Sequence, residues 1–354
     1  VKALVLSGGK GTRLRPLTYS GAKQLVPLAN KPVLFYVLED IVAAGITDIG
    51  LVVGDTADQI QEAVGSGERF GARVTYIRQD SPAGLAHAVK IAREYLGPDR
   101  FVMYLGDNFI EAGIREYVQD FAASTACASI LLHDVPNPQQ FGVAELREGR
   151  VVHLEEKPAQ PRSRLALVGI YLFDPTIHTA VESIRPSGRG ELEITDAISW
   201  LVDRGHDVQA RVVEGWWIDT GKMEDMLDAN RLVLERLGPA NEGSVSDDSV
   251  LQGTVIIRAG ATVTHSRLRG PLIIGENATI EESYIGPFSA IGSGCTIRGS
   301  EIEHSIIMEN TVIEHVPHRI EDSLIGRDVE IRRGGVQPRT YRLMLGDHSR
   351  LEVL

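Results

Sequence analysis

The feature that most restricts this chain is an aliphatic position that returns every five to seven residues through its last third. It runs through Ile257, Val263, Leu268, Ile274, Ile280, Ile285, Ile291, Ile297, Ile302, Ile307, Ile313, Ile320, Ile325 and Ile331. Several of these are followed by glycine, as in Ile274-Gly275, Ile285-Gly286, Ile291-Gly292 and Ile325-Gly326. A period near six suits a solenoid of short parallel strands, each turning a corner and stacking on the one before. An ordinary small β-domain would not keep so constant a register. The spacing does not give the hand of the coil.

The chain before the repeats has a different grammar. Lys2–Leu6, Ile49–Val53, Val74–Ile77 and Phe101–Leu105 are short runs of Val, Ile, Leu and aromatics that end in polar residues or glycine, and they read as strands. Helical stretches lie between them. Pro32 suits a first helical position ahead of Val33–Ala44, with Gly45 closing the helix. Ser81-Pro82 opens another that runs to Tyr95-Leu96, with Gly97 as its stop. This alternation predicts an α/β domain with a Rossmann-like, mainly parallel sheet covered on both faces, in which ligands bind at the carboxyl ends of strands. The turn-rich stretch Gly238-Pro239-Ala240-Asn241-Glu242-Gly243 divides the two grammars. The expected division is therefore residues 1–238 for the α/β domain and 239–354 for the repeats.

The net charge is −12 and no basic run is present, which excludes a nucleic-acid backbone as partner. A small anion remains possible, since it needs only a local cluster of cations. Lysine is scarce, 7 against 29 arginines, and Lys10, Lys23, Lys31, Lys157 and Lys222 all fall in motif-like segments. A lysine kept among so many arginines hints at a compact point charge with a task of its own. The short apolar run Val1–Leu6 falls well below a signal-peptide core or a membrane span, so a cytoplasmic location without a membrane partner is expected. Cys127 and Cys295 have no metal-site spacing and read as two buried thiols.

The first strand runs into Gly8-Gly9-Lys10-Gly11-Thr12-Arg13-Leu14-Arg15-Pro16. Three glycines in four positions let the backbone approach a ligand and aim N–H groups at phosphate oxygens. Taken alone, such a turn is as compatible with a purely structural bend. It lacks the Gly-Lys-Ser/Thr ending of a P-loop, and Leu14 stands where a dinucleotide fingerprint needs its third glycine. The cations Arg13, Arg15 and Lys23 nearby suit a triphosphate.

The same run resembles the signature of the nucleotide-sugar pyrophosphorylases, and closely that of the glucose-1-phosphate thymidylyltransferases. Further segments follow in the order of that family: Gln79-Asp80-Ser81-Pro82-Ala83-Gly84-Leu85-Ala86, Leu105-Gly106-Asp107-Asn108, Phe141-Gly142-Val143 and Glu155-Glu156-Lys157-Pro158. Val168-Gly169-Ile170-Tyr171, Gly190-Glu191-Leu192-Glu193-Ile194-Thr195-Asp196 and Trp217-Ile218-Asp219-Thr220-Gly221 complete the set. The resemblance covers residues 2 to about 235, and the appended repeats resemble the long form of the enzyme. By resemblance to hexapeptide-repeat proteins, the repeats imply a left-handed parallel β-helix.

The resemblance implies a reaction, substrates and residues. The sugar phosphate attacks the α-phosphorus of a nucleotide in line, with dTTP and glucose 1-phosphate as the expected pair and pyrophosphate as leaving group. Arg13, Lys23 and Asp107 are the expected catalytic residues, and Asp107 with Asp219 the ligands of one Mg²⁺, a cation that takes few carboxylates plus phosphate oxygens and water. Leu6, Gly8, Gly9, Gly11, Thr12, Arg13, Gln24, Gln79, Pro82, Gly84 and Asp107 are expected around the nucleotide. Gln79 and the Gly84 backbone are expected on the base. Leu85, Gly142, Glu156, Lys157, Val168 and Trp217 are expected around the sugar phosphate, with Arg189 beside them. Phe141 departs from the family, where tyrosine is common, and removes a hydroxyl from the sugar pocket.

Each residue also has a plainer role outside this context: Asp107 a strand-end turn, Arg13 and Lys23 solvated charges, Glu155–Pro158 an exposed turn. His87, His133, His153 and His206 sit in unremarkable surroundings. His265, His304, His315 and His318 raise the alternative of a uridylyltransferase with a C-terminal acetyltransferase domain, since some hexapeptide-repeat domains use a histidine base. A third reading is a regulatory, non-catalytic relative, against which stands the complete set of charged residues. A homo-oligomer is expected, because flat solenoid faces and open edges invite self-association.

Overall fold

The computed structural model describes residues 1–9, 11–19, 21–334 and 343–352. The chain forms two compact units. The first holds Val1–Lys10, Gly21–Leu25 and Val33–Asp219; the second holds Gly11–Ser20, Val26–Pro32 and Thr220–Leu354.

In the first unit a nine-stranded sheet forms the floor. Its order is Arg73–Arg78, Asp48–Val53, Lys2–Ser7, Phe101–Leu105, Leu165–Phe173, Ala128–Asp134, Val208–Val212, Arg150–Glu156 and Gly142–Arg147. The four strands read from sequence are the first four in this order and run parallel. Leu165–Phe173 reverses the direction beside Phe101–Leu105, and the far side of the sheet is largely antiparallel. Apolar residues on both faces explain the sandwich. Ala3, Val5, Leu51, Val102 and Tyr104 face one core with the helix Val33–Ala43. Leu4, Val52, Phe101 and Met103 face the other with the helices Leu85–Ile91, Thr176–Ser183 and Ile194–Asp203.

One helix start differs from expectation. Residues 81–84 are loop, and the helix begins at Leu85. Gly84 has φ 103° and ψ 169°, outside helical space, and a Cβ there would stand 2.4 Å from the Leu192 carbonyl oxygen. The loop is held down from below, where Leu192 N–H donates to Ala83 O at 2.8 Å.

The second unit is built around the repeats. Three parallel sheets of short strands stack coil on coil, with pairings such as Ile257↔Ile274, Val263↔Ile280 and Leu268↔Ile285. The repeated aliphatics through Ile313 are buried in one core, and Ile320, Ile325 and Ile331 pack against it. The left-handed parallel β-helix expected from the repeats is thereby borne out, as is the Rossmann-like domain before it. A ladder of serines seventeen residues apart lines one corner: Ser283 N–H donates to Ser266 Oγ at 3.1 Å and Ser300 N–H to Ser283 Oγ at 3.3 Å. His265, His304 and His315 occupy corners with φ of 49°, 42° and 55°, and His265 and His304 pair with Asp248 and Asp322.

The helix Met223–Leu234 belongs to this unit too. Its buried Asn230 accepts from Ala29 N–H at 2.8 Å and donates to Phe288 O at 2.9 Å. Asn30 Nδ2 donates to Ile291 O at 2.7 Å, so the segment Val26–Pro32 is tied directly to a repeat coil. Among the described residues no helix is long and apolar enough to cross a membrane.

Candidate active site

The acidic residues expected to act together do meet. Phe101–Leu105 ends at Gly106, and the chain turns at Asp107 into the short strand Asn108–Ile110. That strand pairs antiparallel with Trp217–Asp219, with Asp219 opposite Asn108. Two acids 112 positions apart in sequence (219 minus 107) are thus neighbours across a ladder. Lys23 lies against both: its ammonium is in direct contact with Asp107 Oδ2 and stands 3.9 Å from Asp219 Oδ1. The lysine is only 6% exposed, the two carboxylates 20% and 25%. Burial alone would raise the Asp107 carboxyl, but the Lys23 charge and hydrogen bonds from Lys23 and Asn108 outweigh it and hold the group below its ordinary value. Asn108 is buried and fixes the geometry from behind. Its Nδ2 donates to Asp107 Oδ1 at 2.9 Å, while its Oδ1 accepts from Trp217 Nε1 at 2.8 Å.

Beside this cluster lies the end of the first strand. Gly106 N–H donates to Leu6 O at 2.9 Å, so Leu6, Gly8 and Gly9 emerge next to the acidic turn. Two amide side chains border the glycines. Gln24 is buried, and its Oε1 has no hydrogen-bond partner among the described residues. An orphaned buried acceptor costs about 1–3 kcal/mol unless something donates to it, which fits a ligand donor at that point. Gln79 directs Oε1 at Gly8, where an added Cβ would stand 3.2 Å from it. Its Nε2 faces the other way, 3.0 Å from His87 Nδ1 and 3.5 Å from Gly84 O. Pro82 is exposed on the loop between them, and Leu85 opens the helix that follows.

A second group gathers where Gly142–Arg147 meets Arg150–Glu156. Gly142 pairs with Glu156, and a Cβ on Gly142 would stand 3.0 Å from Glu156 Oε2 and 2.8 Å from Thr195 Cγ2. Glycine keeps that space open. Burial raises the Glu156 carboxyl, and Lys157 and Arg189 offset this only in part. Lys157 Nζ is 3.8 Å from Glu156 Oε1, and Arg189 Nη2 is 3.5 Å from the same oxygen. Arg189 is held mainly by Glu193, at 2.9 Å and 3.0 Å. Val168 is fully buried beneath, and Phe141 meets the Trp217 ring edge-on at 5.1 Å.

The sequence profile of nucleotidyl transferases matches residues 2–236. The chain belongs to the nucleotidyl transferase family. A Streptomyces antibioticus protein named glucose-1-phosphate thymidylyltransferase is 57% identical over 355 residues, covering all of this chain and 99% of its own length. One of the same name from Streptomyces griseus is 54% identical over 354 residues, again covering all of this chain and 99% of the relative. The chain also resembles a crystal structure from Bacillus anthracis, provisionally named a glucose-1-phosphate thymidylyltransferase and bound to sucrose. The TM-score is 0.63 and the identity 35%, over 68% of this chain and 97% of that one. The family expected from the ordered motifs is therefore borne out, and the chain is an enzyme of the nucleotidyltransferase class.

Of the glycine-rich run, Gly8 and Gly9 lie in the first unit, and Gly11, Thr12 and Arg13 in the second. Arg13 is exposed and lies on Gly221, where a Cβ would stand 2.9 Å from Nη2. Lys10 lies outside the described residues. Among the described residues no group of three or more His, Cys, Asp or Glu could hold a metal ion. The donor set suits a hard divalent cation that completes its shell with substrate phosphates, since Asp107 and Asp219 already flank one positive charge. Two residues at the site had no role assigned from sequence. Asn108 could have been suspected from its place after Asp107; His87, one helical turn beyond Gly84, carries no signal without coordinates.

Proposed function

We propose that this chain transfers a thymidylyl group from dTTP to glucose 1-phosphate with Mg²⁺ as the metal, giving dTDP-glucose and pyrophosphate. The observation that carries the reading is Lys23 held between Asp107 and Asp219 at the end of the glycine-bearing strand. The full-length Streptomyces relatives of that name support the substrate pair.

In this reaction an oxygen of the sugar phosphate bonds to the α-phosphorus while the bond from that phosphorus to the pyrophosphate oxygen breaks. Nucleophile and leaving group are both oxyanions, so no proton has to be removed and no serine, cysteine or histidine nucleophile is required. The barrier is charge and position: two anions must be brought into line. Backbone N–H groups of Gly8, Gly9, Gly11 and Thr12 would cradle the triphosphate, with Leu6 at the strand end beside the nucleotide, and Arg13 would follow the charge onto the departing pyrophosphate. Lys23 would neutralise the α-phosphate. Asp107 and Asp219 would hold Mg²⁺, which when bound supplies charge neutralisation at the phosphate oxygens.

Gln24, Gln79, Pro82 and Gly84 would border the base. Leu85, Gly142, Glu156, Val168 and Trp217 would line the sugar, with the raised Glu156 carboxyl accepting from hydroxyls and Lys157 holding its phosphate. The catalytic domain of this reading is residues 1–238 and the repeat domain 239–354. The family profile, ending at 236, supports that division. The exposed Val250 and Leu251 on an edge strand support a homo-oligomer made through the repeats. The reading has the enzyme cytoplasmic, with small-molecule substrates and neither nucleic acid nor membrane as partner.

The test is pyrophosphate release in a matrix of four nucleoside triphosphates against three hexose 1-phosphates. The expected maximum is dTTP with glucose 1-phosphate, lost with a chelator and restored by Mg²⁺. No release from that pair would overturn the proposal.

A further inference from the structure

The proposed function leaves open how an amide side chain tells one base from another. A glutamine amide can turn about its last bond and present either an acceptor or a donor to the same ligand atom. At Gln79 the surroundings remove that choice. Gly84 O can only accept, and it lies 3.5 Å from Nε2. His87 Nδ1 lies 3.0 Å from the same nitrogen. Both hydrogens of the amide therefore have acceptors on one side, provided Nδ1 carries a lone pair and the ring proton sits on Nε2. The reverse orientation would set the amide oxygen against the Gly84 carbonyl. Burial and the neighbouring Lys90 lower the His87 pKa, which favours the neutral ring. Oε1 is left facing Gly8.

We infer that His87 is a specificity-determining positioning residue: it locks the Gln79 amide so that an acceptor, never a donor, faces the base. The inference rests on the proposed placing of the base at Gln79. Thymine and uracil carry a hydrogen on N3 and can donate to that oxygen; cytosine carries a lone pair there and meets it with repulsion. The device selects the keto pyrimidine pattern. It does not separate thymine from uracil, which differ in a methyl group remote from N3. His87 is half-buried, touches the base only through Gln79, and lies on the first turns of the helix Leu85–Ile91.

The experiment compares kcat/KM for dTTP and dCTP at saturating glucose 1-phosphate in wild type, His87→Phe and His87→Gln. Losing one hydrogen bond that fixes an orientation is worth about tenfold. His87→Phe is expected to lower kcat/KM for dTTP, mainly through KM, while the value for dCTP holds or rises, so the ratio narrows by at least about tenfold. KM for glucose 1-phosphate stays unchanged. His87→Gln, whose amide oxygen can accept the same hydrogen bond, is expected to restore the ratio. If phenylalanine is poorly accommodated, His87→Ala carries the same comparison. A dTTP:dCTP ratio unchanged in His87→Phe overturns the inference, and so does an equal loss on both nucleotides, which would mark a structural role. A wild type with no preference for dTTP would instead fault the proposed function.

Discussion

Replacing Lys23 by methionine removes a cation in direct contact with Asp107 and should cost stability in a way that depends on pH. In the wild type the Asp107 carboxyl is held below its ordinary value of 3.8. A depressed carboxylate contributes stability that is present above the unfolded pKa and lost as pH falls through the folded one. Without Lys23, burial becomes the dominant influence and the folded carboxyl should rise above 3.8, reversing the sign. The variant then carries a penalty at neutral pH that fades on acidification. Removing one partner of a buried pair costs about 3–5 kcal/mol. The lower end applies here, because 20% of the Asp107 side chain still meets solvent and Asn108 continues to donate to it.

At roughly 2–4 °C per kcal/mol for a unit of this size, the expected loss in Tm is about 6–12 °C at pH 7.5. It should shrink to less than half of that at pH 5. Thermal unfolding followed by calorimetry at both pH values, without nucleotide or metal, reads this directly. A loss below about 2 °C, or one of equal size at the two pH values, would refute the electrostatic account of the cluster.

Two further outcomes follow from backbone and burial. Gly84→Ala would force a side chain into φ 103° and to 2.4 Å from the Leu192 carbonyl. The loop 81–85 should shift, raising KM for the nucleotide about tenfold or more, and a wild-type KM would show that the loop does not meet the base. Asn230→Ala strands the Ala29 N–H and the Phe288 carbonyl, and should destabilise the repeat-bearing unit by about 2–3 kcal/mol in urea unfolding, with wild-type stability as the contrary result.

How far the sequence could be read follows from how local each signal is. The β-helix was legible because every inner position of every coil must be aliphatic, so the fold writes itself as a period; Ile257 to Ile313 all point inward. The parallel strands were legible for a similar reason, as continuous apolar runs closed by glycine. The antiparallel strands Gly142–Arg147 and Arg150–Glu156 were not read as such, being half-exposed and mixed in composition. The helix starts at Leu85 although Ser81-Pro82 has helix-opening chemistry, because the backbone of Gly84 is dictated by Leu192 more than a hundred residues away. At the site, the meeting of Asp107 with Asp219 was anticipated from motif order. The roles of Asn108 and His87 were not, since each consists of holding another side chain in one orientation, a property of three-dimensional neighbours alone.

The most direct test of the account asks which phosphorus atom the sugar phosphate attacks. Glucose 1-phosphate carrying ¹⁸O on its phosphate is incubated with unlabelled dTTP, Mg²⁺ and enzyme, and the products are separated and weighed by mass spectrometry. Attack at the α-phosphorus predicts that all label is found in dTDP-glucose and that the pyrophosphate is unlabelled. Label in pyrophosphate, or a product other than a nucleoside diphosphate sugar, would contradict it.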